Sequence, residues 1–111
     1  MIDKYTHWDH IRGLGCCISC TNIDVTIHHC HSGSITEYFG LVGWAMRQSD
    51  MLVIPLAAKF HTGCYGIDSS FGVLAWEQQF GTQIDHLRRV AVQIRMLYGY
   101  DIFEEAGVPS P

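Results

Sequence analysis

The stretch Ile27-His28-His29-Cys30-His31 sets three histidines within four positions at the end of an apolar, strand-like run, and His61 follows the later run Ile54-Pro55-Leu56. A neutral imidazole binds divalent cations through one ring nitrogen, and its ordinary pKa near ~6.5 also lets it take or give a proton at neutral pH. A histidine cluster with a distant partner can therefore hold a cation beside a general base. Phosphodiester hydrolysis needs both, a base to take a proton from water and a cation to neutralise charge on the phosphate and the leaving oxygen. Any one of these histidines alone reads equally well as a packed or surface residue. The grouping carries the inference.

Cys17 and Cys20 form a second pattern, the C-x-x-C spacing with which two thiolates grip a tetrahedral zinc from a tight turn. One such pair is half a zinc site, and reduced buried cysteines or a redox pair are equally open readings. Arg47 is a candidate phosphate contact, with an ordinary solvated arginine as its alternative.

These residues need elements to position them. Tyr5, Trp8 and Ile11, three apart, predict a short helix over residues 3–12, ended by Gly13 and Gly15. The alternation in Asp24-Val25-Thr26-Ile27-His28 predicts a strand, on which His28 and His29 point to opposite faces unless the strand ends or twists there. A long connection through Gly33, Gly40 and Gly43 follows to Ser49. Met51-Leu52-Val53-Ile54, stopped by Pro55, reads as a second buried strand, and residues 56–61 as a short helix presenting His61. Ser70 is expected to cap a helix with Phe71, Leu74, Ala75 and Phe80, closed by Gly81. Thr82 with Asp85 resembles a capping box for a helix that buries Ile84, Leu87, Val90, Ile94 and Leu97. His86 on that helix reads as a surface residue.

At 111 residues and 48% hydrophobic content, the chain is long enough for one domain with a small core. No apolar run approaches the roughly 20 residues of a membrane span, and Met1-Ile2-Asp3-Lys4 is not a signal peptide, so a cytoplasmic protein is expected. Five cysteines, an odd number, argue for reduced thiols or metal ligands over a disulfide framework. The formal charge of −4 argues against nucleic-acid binding. Grouping of Arg88, Arg89 and Arg95, and the charge of a bound cation, weaken that objection.

Several pieces recur in one order: Gly15-Cys16-Cys17-Ile18-Ser19-Cys20, Ile27-His28-His29, Ser49-Asp50 leading into Ile54-Pro55-Leu56, His61-Thr62-Gly63 with Gly66-Ile67, Trp76-Glu77, and Phe80-Gly81-Thr82. Over residues 12–90 the chain thereby resembles the Ref family of phage RecA-dependent nucleases, within the HNH (ββα-metal) endonuclease superfamily. The resemblance implies an α+β fold with a small HNH core, a β-hairpin plus short helix, flanked by N- and C-terminal helices. Residues 1–100 would be a single HNH-like nuclease domain and residues 101–111 a weakly ordered C-terminal tail. It implies His29 as general base, His28 and His61 as ligands of a catalytic Mg2+ or Mn2+, Asp50 in polar positioning, and DNA as substrate.

Two departures from the family pattern matter. Ala57 and Phe60 stand where a cysteine and a histidine would complete a structural Zn2+ site with Cys17 and Cys20. Phe60 as an apolar plug is the favoured reading, and Cys30, His31 or Cys64 as replacement ligands the other. The basic extension that precedes the nuclease domain in the RecA-dependent member has no counterpart here, so RecA dependence is not carried over. DNA affinity is expected to be weak without a protein partner or a homo-oligomer. The leading expectation is a small phage or prophage nuclease acting in the bacterial cytoplasm. An HNH-fold interaction module that no longer cuts is the alternative, and a redox or zinc-binding domain on Cys17 and Cys20 comes third.

Overall fold

Strand β1 (Val25–His29) pairs antiparallel with β2 (Val53–Ala57), with Ile27 opposite Pro55 and His28 opposite Ile54. The computed structural model describes residues 1–40 and 50–111. In chain order the helices described are α1 (Lys4–Gly13), α2 (Gly33–Phe39), α3 (Ala58–His61), α4 (Val73–Phe80), α5 (Gln83–Tyr98) and α6 (Ile102–Ala106). The chain is thus α+β around a two-stranded sheet. No helix described is long and apolar enough to cross a membrane.

Every residue of β2 is buried, because α1 packs on both strands and α5 packs on β2. Pro55 was expected to end this strand and instead lies inside it. Its carbonyl accepts from Cys17 N at 3.0 Å on the edge away from β1, so the missing proline N–H costs the β1–β2 ladder nothing. The ladder continues past the strand ends through Cys30 N to Leu52 O and Ala58 N to Asp24 O, at 2.9 Å each.

Helix α1 starts where expected, with Asp3 capping Tyr5 N and Thr6 N, but its buried stripe is His7 and Ile11, four apart, with Trp8 beside them. Tyr5 stays 64% exposed. His7 is tolerated inside because both ring nitrogens are satisfied: Nε2–H donates to Met51 O (3.0 Å) and Nδ1 accepts from the Tyr100 hydroxyl (2.6 Å). Burial pushes its pKa down to about 4.

Part of the expected connection from Ser32 onward is helix α2; Arg47 and its neighbours in residues 41–49 lie outside the described residues. Ser70 does not cap α4. That helix begins after Gly72 (φ +84°), buries Trp76 and leaves Leu74 exposed. Gly81 (φ +93°) then turns the chain into α5, which Thr82 caps as expected through Asp85 N. Ile84, Leu87, Val90 and Ile94 are buried, whereas Leu97 is exposed. His86 is buried, correcting its reading as a surface residue: the turn at Gly81 brings Phe80 O within 2.7 Å of its Nε2, and the Arg89 guanidinium donates to Nδ1.

The segment from residue 101, expected as a weakly ordered tail, carries α6. Asp101 caps it through Phe103 N and Glu104 N, and Ile102, Phe103 and Ala106 enter the core. Glu105 accepts from Ile2 N at 2.7 Å and so ties the two ends of the chain together. The apolar triplet, invisible to a helical-period reading of so short a segment, supplies the burial that fixes it.

Unfolded His7 takes a proton below its ordinary pKa, whereas folded His7 does not until about pH 4. Stability present above pH 6.5 is therefore lost as pH falls toward 4, by an amount on the order of 3 kcal/mol from this residue. Urea midpoints measured between pH 7 and 4.5 should fall, and His7→Gln should remove its share of that slope.

Candidate metal centre

His28 and His61 reach one point from two elements. His28 leaves β1 on the same face as Thr26, two residues before it, and is fully buried. His61 ends α3, directly after β2. Their rings lie 5.1 Å apart, edge to face. The third member is Asp68, whose Oδ2 is 3.3 Å from His28 Nδ1 and 3.0 Å from His61 Nε2. Donor atoms of these three residues all lie within 4.8 Å of one another, the one such group of His, Cys, Asp or Glu found among the described residues.

The protons on both rings can be assigned from the surrounding bonds. Gln83, the first residue of α5, accepts from His31 N through Oε1 (3.1 Å) and donates to His31 O through Nε2 (2.7 Å), which fixes the orientation of its amide. Its Oε1 must then accept from His28 Nε2 at 2.9 Å, so His28 is protonated there and Nδ1 keeps a lone pair. On the other side, the Thr26 hydroxyl donates to Leu56 O at 2.8 Å. It can only accept from His61 Nδ1, also at 2.8 Å, which leaves the lone pair on His61 Nε2. In their neutral tautomers both rings thus turn a lone pair toward the Asp68 carboxylate.

His28 Nδ1 is the buried side-chain atom that has no hydrogen-bond partner among the described residues. Such an orphan is costly unless something fills the gap. Burial pushes the pKa of His28 down to about 4, so the ring is neutral and its lone pair is available at neutral pH. Burial alone would raise Asp68, but the hydrogen bond from His31 and the surrounding imidazoles more than reverse this and hold its carboxyl below the usual range. A divalent cation fits this donor set. Two nitrogens and one carboxylate suit Mn2+ or Zn2+ better than Mg2+, which prefers oxygen ligands.

Asp68 is delivered by the loop after α3. Asp68 N bonds to His61 O at 2.9 Å and Ile67 N to Phe60 O at 3.1 Å, folding the loop back onto the helix end. This close approach requires Gly66, where an added Cβ would fall 2.4 Å from His61 O. Sequence reasoning stopped at Gly66-Ile67 and missed Asp68. The pairing of Thr26 with His28 at period two was a legible signal, whereas nothing in the spacing from His61 to Asp68 announces a shared ligand.

His29 faces the other way. Strand alternation sends it toward α1, where its ring meets Trp8 edge to face at 5.4 Å and Nε2 donates to Asp50 Oδ1 at 3.1 Å. Asp50 is held in turn through its carbonyl, which accepts from Trp8 Nε1 at 2.8 Å, and Lys4 Nζ lies 3.9 Å from its Oδ2. His29 and Asp50 are therefore paired on the face of β1 opposite His28. His29 is 42% exposed at its side chain, while His28 is enclosed.

Cys17 and Cys20 acquire no third His, Cys or carboxylate ligand among the described residues. Burial pushes the Cys17 thiol up to about 12, so it is not a thiolate at neutral pH. Ala57 turns its backbone N–H to the Cys16 thiol. Phe60 is buried edge to face on Phe80 at 5.2 Å, the packing that an apolar plug requires. A cavity of about 420 Å³ beside these cysteines is lined by Arg89 and Gln93 as well and includes none of the converging donors.

No family model, no curated protein and no solved structure matches this chain.

Saturating Mn2+ or Zn2+, at about a hundred times its dissociation constant, should stabilise the protein by ~2.7 kcal/mol and raise Tm by roughly 10 °C. Asp68→Asn and Gly66→Ala should each abolish most of that rise in a thermal-shift titration. Metal analysis of purified protein should find no zinc whose retention depends on Cys17, with Cys17→Ser as the comparison.

Proposed function

We propose that the chain is a metal-dependent DNA endonuclease of the HNH type, a phosphodiester hydrolase of phage or prophage origin acting in the host cytoplasm. The observation that carries this reading is the convergence of the His28 and His61 lone pairs on Asp68. Strands β1 and β2 pair antiparallel although α2 lies between them in the chain, and α3 follows β2 directly; one imidazole near the end of β1 and another at the end of α3 support the reading of a ββα-metal core. The bound cation, Mn2+ ahead of Mg2+ on the chemistry of the donors, would neutralise charge on the scissile phosphate and the leaving oxygen.

His29 is the general base in this reading. Its Nε2–H is held by Asp50, which orients the ring and leaves Nδ1 to take a proton. Exposure of this ring lets substrate reach it, while the enclosed ring of His28 serves only to bind. His29 and His28 lie on opposite faces of β1, so in this reading one phosphate has to reach both faces of the strand. Gln83 and Thr26 keep the two ligand rings in the tautomers that metal binding needs.

One observation favours a second reading, a domain of this fold that binds a partner without cutting. Arg88 and Arg95 are ion-paired with Asp85 and Asp101, at 3.2 and 3.5 Å, and Arg89 is occupied by His86, so the arginine group presents little free charge to DNA in a chain of net charge −4. A protein partner or self-association would then supply what DNA affinity the chain lacks, and dependence on RecA is not part of the proposal.

Supercoiled plasmid incubated with the protein and Mn2+ or Mg2+ should be nicked, and His29→Ala should lower the rate by at least ~100-fold, the usual contribution of a general base. Loss of His61 should be at least as severe. Folded, metal-loaded protein that leaves the plasmid intact would favour the interaction module.

A further inference from the structure

His31 has no part in the chemistry assigned so far, yet it stands at the centre. Continued alternation would carry residue 31 to the face of His29. The chain turns instead: Gln83 grips both the N–H and the C=O of His31, and Ser32 (φ +60°) and Gly33 (φ +49°) bend the backbone immediately afterwards. The His31 ring comes to 5.4 Å from that of His28, and its Nε2 lies 2.6 Å from Asp68 Oδ1. Ser32 Oγ sits 3.1 Å from Nδ1 and can donate there, which leaves the ring proton on Nε2 facing the carboxylate.

The two oxygens of Asp68 are thereby divided. Oδ1 is held by His31, and Oδ2 is left to face the lone pairs of His28 and His61. We propose that His31 is a positioning residue of the metal centre, whose Nε2–H fixes the Asp68 carboxylate so that Oδ2 is presented to the cation. This rests on the assignment of His28, His61 and Asp68 as metal ligands, and not on cleavage of DNA. Outer hydrogen-bond partners of metal ligands typically change metal affinity by ~10–100-fold when removed. A carboxylate borne by a loop has more freedom to turn away than one on a strand or helix, so its restraint matters here. Direct ligation by His31 is a different arrangement, because Nε2 would then have to give up its proton and its bond to Asp68.

Co2+ titrations of the full chain, followed by visible absorption, distinguish these cases. The unaltered protein, His31→Ala and His31→Gln are compared, with the Tm of each in chelator as the control for folding. His31→Ala should weaken Co2+ binding by ~10–100-fold with the metal-free Tm nearly unchanged. His31→Gln, which restores an N–H donor, should recover most of the affinity, and all three proteins should give the same spectrum at saturation. Affinity unchanged in both variants would overturn the proposal. So would a saturated spectrum altered in both, since that would make His31 a ligand. Failure of the unaltered protein to bind Co2+ would instead remove the ligand assignment, and the role of His31 with it.

Discussion

One side-chain amide governs the candidate centre. Gln83 holds His31 by both backbone groups, and because that grip fixes which end of the amide is oxygen, it also fixes the proton on His28. Gln83 is held in its turn, since its backbone N–H donates to Glu77 Oε2 at 2.7 Å. The same carboxylate takes Ser34 N and Ser34 Oγ, and Ser34 Oγ accepts from Ile84 N. The starts of α2 and α5 are therefore locked together through one glutamate. Gly33 makes room for it, because a Cβ there would lie 2.2 Å from Glu77 Oε1. The buried polar network is satisfied at every member except the atom aimed at Asp68.

The two faces of β1 are built for different work. On one, Thr26 and His28 are tied into hydrogen bonds that spend their protons away from the centre. On the other, His29 rests against Trp8 and Asp50, half open to solvent. The first surroundings suit a ligand, which must keep a lone pair, and the second suit a group that has to exchange a proton with something outside. Adjacent residues of identical type can hold these opposite environments only because a strand turns successive side chains to opposite sides.

The opposite facing of the two rings was legible from strand period alone, whereas their different roles were implied only by the family resemblance. The short helix bearing His61 was legible too, from Pro55-Leu56 before it and Gly63 after it. Asp68 was not, because its place depends on a loop packing back on the His61 carbonyl, a contact permitted by Gly66 and encoded by no periodicity. His86 and His7 were misread or passed over for a related reason. Polar side chains on helices default to the surface unless a partner from elsewhere satisfies them, and here those partners are the Phe80 carbonyl and Tyr100, with Met51. Helix α6 escaped because Ile102, Phe103 and Ala106 gain their stability from tertiary burial, where local propensity says little.

The bond between Asp68 N and His61 O has a consequence for how the site comes into being. His61 and Asp68 are seven positions apart, whereas Gln83 lies fifty-five from the His28 it fixes. By loop-closure entropy alone, the distant contact costs about 2 kcal/mol more to form than the local one. The half-site on the α3 loop can thus assemble early from neighbouring chain, and the other half only when α5 docks against β1. A cation bound to all three ligands would therefore register completion of the fold, joining the slow, long-range part of the molecule to the fast, local part.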